Sequence, residues 1–97
     1  MSISVYIIAY NEAKKIADTI NSVLWADEII VADSASTDET VRIAQDLGAR
    51  VVQIPFHGFG HLRNQAIKSC THEWIFSLDT DEQCTPEVRD EVLMILS

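Results

Sequence analysis

The sequence predicts an α/β fold, with alternating β-α units forming a mostly parallel sheet that carries helices on both faces. Three observations support that expectation. Four short apolar runs recur along the 97 residues: Val5 to Ala9, Ile29 to Ala32, Val51 to Ile54 and Trp74 to Leu78. Segments with helical spacing separate the runs. The connections are short, so right-handed crossovers return each strand parallel to the one before.

Each element has its own local justification. After the first run, Ile16, Ile20, Val23 and Leu24 fall at i, i+4, i+7 and i+8, one face of a helix. The second run leads to Ser36 with Glu39 three residues on, which reads as a capping box opening a helix on Thr40, Ile43, Ala44 and Leu47. Gly48 reads as its end. Behind the third run, Gly58-Phe59-Gly60 reads as a flexible loop into a helix starting near His61, with a narrow stripe of Leu62, Ala66 and Cys70. This is no dinucleotide fingerprint, because the third glycine position is Arg63 and the segment does not follow the first strand. The fourth run, continuously apolar, suits a strand buried on both faces. Thr85-Pro86 then supplies an N-cap and a first-turn proline for a helix on Val88, Val92, Ile95 and Leu96. So apolar a helix at the end of the chain calls for a partner in further sequence, and the chain reads as a fragment.

Composition narrows the function. A net charge of −8 supplies no basic stripe, which argues against nucleic acid as a partner and disfavours anionic lipid surfaces. A phosphorylated ligand would need cations brought to one spot, which makes a metal more plausible. Cys70 and Cys84 read as free or buried thiols in a reducing compartment. No signal peptide and no membrane-length apolar run is evident, so no transmembrane segment is expected and the location reads as cytoplasmic. His57, His61 and His72 lack zinc-like spacing with the cysteines, and no Ser-His-Asp set is apparent.

The candidate chemistry lies at strand ends. The first strand ends in Ala9-Tyr10-Asn11-Glu12, the second in Asp33-Ser34 and the fourth in Asp79-Thr80-Asp81. In a doubly wound sheet these ends neighbour one another where ligands bind. Asp79 and Asp81 could grip one divalent cation if the chain turns there; alternatively, they form a solvated acidic turn before a helix. Tyr10 could lie against a base, or be a partly buried strand-end aromatic. Asp33 could accept from a base amide or ribose hydroxyl, or serve only as a turn residue. Arg63, in the first turn of the third helix, would favour a diphosphate there, and reads equally as a solvated surface arginine.

Together these motifs identify a family. Ala9-Tyr10-Asn11-Glu12, Asp33-Ser34-Ala35-Ser36-Thr37-Asp38 and Asp79-Thr80-Asp81 resemble the N-terminal half of family 2 glycosyltransferases, which have the GT-A fold. Trp25 to Val31, Gly48-Ala49 and Gly58-Phe59-Gly60 look like the subgroup that adds a sugar to the lipopolysaccharide inner core. The resemblance implies metal-dependent, inverting transfer from a nucleotide-diphospho-sugar, usually a UDP-sugar, to a glycan or glycolipid acceptor. Such an acceptor would be met at the inner face of the membrane. By position, Ala9, Tyr10, Asn11, Glu12 and Asp33 would line the nucleotide, with Tyr10 and Asp33 on the base and Arg63 near the diphosphate. Asp79 and Thr80 would lie toward the ribose or sugar, and Asp81, with Asp79, would hold Mn²⁺ or Mg²⁺. Residues 1–97 would then be the nucleotide-sugar-binding half of a catalytic domain.

The sequence departs from the family in two respects. Ala35 stands where the family commonly has glycine. No residue matches the family's catalytic base, which belongs to an acceptor-binding half apparently absent here, so the chain alone is expected to be inactive in transfer. Glu82 is a tempting but unsupported substitute. The competing class is a non-catalytic α/β module binding a nucleotide or partner with its acidic rim. A metal-dependent nucleotidyltransferase or phosphatase would need a nucleophilic aspartate or a basic triphosphate loop after the first strand, and Tyr10-Asn11-Glu12 offers neither.

Overall fold

The computed structural model describes residues 1–97. Its elements are β1 (Ile3–Ala9), α1 (Ile16–Asn21), β2 (Glu28–Asp33), α2 (Thr40–Asp46), β3 (Arg50–Gln53), α3 (Phe59–Ser69), β4 (Trp74–Asp79) and α4 (Pro86–Leu96). The strands form one parallel sheet in the order β3-β2-β1-β4. β1 therefore lies between β2 and β4, and the carboxyl ends of all three meet on one rim.

Alternation along the central strands sends side chains to two cores. Val5, Ile7, Ala9, Ile29 and Val31 pack with Ile16 and Ile20 of α1 and Ala44 of α2. Tyr6, Ile30 and Ala32 pack on the other side with Ile54 and with Leu62 and Ala66 of α3. Helices thus cover both faces, as expected. Ile7, Ile16, Ile20, Ile30 and Leu62 are fully buried, and each such side chain contributes about 1.5–3 kcal/mol. Glu28 fastens the opposite rim, accepting from Ser4 Oγ at 2.8 Å and Thr71 N at 2.9 Å. Burial pushes its carboxyl up, but these donors and the nearby Arg50 outweigh that and hold it below the usual range.

Several local expectations are corrected. The fourth run is not buried on both faces, because β4 is an edge strand: Trp74 and Ile75 are exposed, and only Leu78 is fully enclosed. The first helix stops at Asn21, since Ser22 Oγ donates to Thr19 O at 2.7 Å and the chain turns. Val23 still reaches the core from that turn, while Leu24 is exposed. α3 begins at Phe59, two residues before His61, and Cys70 is its C-cap rather than a helical position. Ser36 and Glu39 form no capping box. The Ser36 hydroxyl donates to Asp33 instead, and α2 starts at Thr40, whose N–H donates to Asp38 Oδ1 at 3.0 Å. Two caps are as expected. Gly48 ends α2 at φ +93°, with Ala49 N–H donating to Ala44 O, and Thr85 Oγ1 accepts from Val88 N at 3.2 Å.

Candidate functional site

The rim is built from the loops that follow β1 and β2. Ala9 is buried at the end of β1, Tyr10 is exposed immediately after it, and Asn11 adopts φ +52°. Asn tolerates that left-handed conformation better than most residues. Backbone N–H groups on both sides then join the β1 loop to the β2 loop by hydrogen bonds. Asn11 N–H donates to Ser36 Oγ at 2.8 Å, and Thr37 N–H donates to Asn11 Oδ1 at 2.8 Å. Glu12 N–H donates to Thr40 Oγ1 at 2.8 Å, and Ala13 N–H to Asp38 Oδ2 at 3.2 Å. The hydroxyl of Thr40, helped by the backbone N–H donors and opposed by burial, holds the Asp38 carboxyl below its ordinary range.

Asp33 anchors the β2 loop and is fully buried. Its Oδ2 accepts from Ser36 N at 2.9 Å and from Gln53 Nε2 at 2.8 Å, and its Oδ1 from the Ser36 hydroxyl. Between them Ala35 sits at φ +58°. A residue with a Cβ in that conformation is strained by about 1–2 kcal/mol, and glycine would return about 0.5–1 kcal/mol of that as chain entropy. Ala35→Gly is therefore expected to stabilise the chain by roughly 0.5–1 kcal/mol, read as a raised thermal midpoint with an unchanged rim.

The turn after β4 is fixed from α1. The buried Thr19 hydroxyl lies 3.1 Å from Thr80 O, and Ser22 Oγ accepts from Cys84 N at 2.9 Å. Glu82 N–H closes the turn on Asp79 O at 2.9 Å. Asp79 and Asp81 are exposed, Thr80 is buried, and Asp81 pairs with Lys15 Nζ. That hydrogen-bonded carboxylate, followed by its charge, raises the lysine's pKa above its ordinary value.

Most of these groups share one cleft of about 520 Å³, lined by Ile8, Tyr10, Glu12, Phe59, Arg63, Asp79, Thr80 and Asp81. Arg63, in the second turn of α3 rather than the first, forms no ion pair. Beside the cleft is an apolar slot of about 350 Å³, in which Tyr10, Phe56 and Phe59 join Ile8, Ala9, Ser34 and Leu62. The Phe56 and Phe59 rings meet edge to face at 5.2 Å. Neither Asn11, which is exposed, nor Asp33, which is fully buried, lines either of these spaces. Sequence reading missed Phe56, Phe59, Gln53 and Lys15. An aromatic pair flanking Gly58 just ahead of Arg63 was the available signal for the first two.

No three His, Cys, Asp or Glu side chains come together as a metal-holding group. Asp79 and Asp81 offer two accessible hard oxygen donors, which fits the way Mg²⁺-type ions use one or two carboxylates plus substrate phosphates and water. Asp81 would have to leave Lys15 to serve.

A parallel sheet with a polar cleft at its carboxyl rim is the α/β arrangement whose members commonly hold ligands at that rim, and comparison with known proteins makes the class specific. The profile described as Glycosyl transferase family 2 matches residues 4–94, and the chain belongs to that family. An uncharacterized glycosyltransferase of Rickettsia felis is 45% identical over 96 residues, covering 98% of this chain and 34% of the relative. A lipopolysaccharide core biosynthesis glycosyltransferase of Rhizobium meliloti is 30% identical, covering 93% of this chain and 35% of that protein. Among solved structures, glucosyl-3-phosphoglycerate synthase from Mycobacterium tuberculosis with Mn²⁺, UDP and glucosyl-3-phosphoglycerate superimposes with a TM-score of 0.72 at 33% identity. That match covers 81% of this chain and 33% of the synthase. The chain thus spans about one third of the length of these relatives. No helix is long and apolar enough to cross a membrane.

Proposed function

We propose that residues 1–97 form the donor-binding part of a metal-dependent, inverting glycosyltransferase that uses a nucleotide-diphospho-sugar, with a UDP-sugar as the first candidate. The observation that carries this reading is the single cleft shared by Tyr10, Glu12, an unpaired Arg63 and the Asp79-Thr80-Asp81 turn. The base would lie toward the aromatic slot against Tyr10. Asp33 would accept from the base edge, and Ala9, Asn11 and Glu12 would hold the loop against it. Arg63 would bind the diphosphate and offset the charge it gains as the glycosidic bond breaks, where fixed charge matters most. Asp79 and Thr80 would face the ribose or sugar, and Asp81 with Asp79 would hold Mn²⁺ or Mg²⁺. Bound there, the cation would supply Lewis-acid charge to the leaving diphosphate. The similarity to a lipopolysaccharide core enzyme supports a glycan or lipopolysaccharide-core acceptor, met on the cytoplasmic side of the membrane. The catalytic base is assigned to no residue here. General base catalysis is typically worth ~10²–10⁴-fold, so these residues alone are expected to bind donor without acceptor-dependent transfer.

The test is a calorimetric titration of UDP with and without Mn²⁺. UDP is expected to bind several-fold more tightly with the metal, and Asp81→Asn should remove that gain while leaving metal-free binding intact. Equal UDP affinity with and without Mn²⁺ in the unaltered chain would reject the metal site. Lys15→Gln should tighten Mn²⁺ itself by a modest factor, because the cation no longer competes with an exposed ion pair of small worth.

A further inference from the structure

We propose that Gln53 is an internal placeholder for the nucleobase: its side-chain amide occupies Asp33 and the Ala35 N–H as the edge of a pyrimidine base would, and it swings out when the nucleotide binds. The proposal rests on the reading of Asp33 as a base contact and resolves a difficulty in it. Asp33 is fully buried and its carboxylate already accepts three hydrogen bonds from the protein. Its Oδ2 already accepts two of them, from Ser36 N and Gln53 Nε2, so a base can take that oxygen only if one of those donors leaves.

Gln53 is the donor able to do so. Ser36 gives both its N–H and its hydroxyl to Asp33, and its Oγ also accepts from Asn11 N, so its departure would unlatch the two loops. Gln53 instead reaches Asp33 from an exposed position at the end of β3, directly opposite it in the parallel register. The backbone on either side of this pair is pinned without the amide. Ile54 N–H donates to Asp33 O at 2.9 Å, and Ser34 Oγ donates to Ile54 O at 3.0 Å. The flexible side chain can therefore move while the strands stay fixed.

The bonding pattern of the amide is the second observation. Its Nε2 donates to Asp33 Oδ2 at 2.8 Å, and its Oε1 accepts from Ala35 N at 3.0 Å. One planar group thus presents an adjacent donor and acceptor to a carboxylate and a backbone N–H. Uracil carries the same pair as N3–H beside a ring carbonyl, and cytosine as its amino group beside N3. A base replacing Gln53 would leave neither Asp33 nor Ala35 unsatisfied, so the exchange avoids the cost of an orphaned buried polar group.

The experiment titrates UDP and CDP into the unaltered chain, Gln53→Ala and Asp33→Ala, with side-chain amide NMR of Gln53 as a separate readout. Asp33→Ala removes both acceptor oxygens, and its titration is scored on the folded fraction measured by circular dichroism. Gln53→Ala is expected to bind the preferred nucleotide roughly 3- to 10-fold more tightly, the size of one net hydrogen bond no longer displaced. Saturating nucleotide should move the Gln53 amide protons of the unaltered chain to the positions of a free, solvent-exposed amide. Comparison of the UDP and CDP arms tells which base takes the place. Unchanged or weaker binding by Gln53→Ala, or an amide signal indifferent to nucleotide, overturns the placeholder. If Asp33→Ala, in its folded fraction, binds as well as the unaltered chain, the base-contact reading itself fails, and the two failures are thereby distinct.

Discussion

Asp33→Ala is expected to destabilise the chain by about 2–4 kcal/mol and to reduce nucleotide binding below detection in the protein that remains folded. Hydrogen bonds to a charged group are worth about 1.5–3 kcal/mol each, and orphaned buried donors cost about 1–3 kcal/mol. Here one fully buried carboxylate serves Ser36 twice and Gln53 once. Its removal frees the β2 loop, and through Ser36 Oγ and Asn11 it loosens the β1 loop that carries Tyr10 and Glu12. Urea denaturation measures the first effect and UDP calorimetry the second. Stability within about 0.5 kcal/mol of the unaltered chain, the range of ordinary surface substitutions, would mean that the network is not structural.

Ile7→Ala should have an effect of similar size for a different reason. Ile7 is fully buried in β1, the strand flanked by β2 and β4, and faces the core shared with α1 and α2. Truncating it removes transfer free energy and leaves a cavity, together about 2–5 kcal/mol. In a domain of 97 residues, where total stability is commonly about 5–15 kcal/mol, that is a large share. The thermal midpoint should fall steeply, while nucleotide affinity of the folded fraction should change little, because the substitution lies two residues inside the rim. A loss of UDP affinity without a loss of stability would contradict this account.

Periodicity and punctuation give the eight elements and their order because both are local. Val5 to Ala9 and Ile29 to Ala32 are central strands, and their apolar runs declare it. Trp74 to Leu78 carries the same signal but lies at the edge, because an apolar run reports what a strand could bury and not what neighbours it has. Ser36 and Glu39 match a capping pattern, yet Asp33 lies nearer to hand and claims the Ser36 hydroxyl. The candidate rim residues could be named from strand ends, and Tyr10, Glu12, Arg63, Asp79, Thr80 and Asp81 do meet in one cleft. Lys15 against Asp81 and Gln53 against Asp33 are 66 and 20 residues apart. Such pairings depend on register and helix placement, which no window of sequence contains.

The hydrogen bonds that latch the β1 loop to the β2 loop have a consequence for affinity. Fixing a residue's backbone costs about 1–2 kcal/mol of conformational entropy, and a loop that orders only on meeting its ligand subtracts that sum from the binding free energy. Here Asn11 and Ala35 are already held in left-handed conformations, and the backbone N–H groups of residues 11, 12, 13 and 37 are already satisfied across the gap. The ordering of these loops is completed during folding. A nucleotide bound at this rim, as proposed, would meet two loops already tied together, and its contacts with them would count toward affinity with little deducted for ordering the backbone.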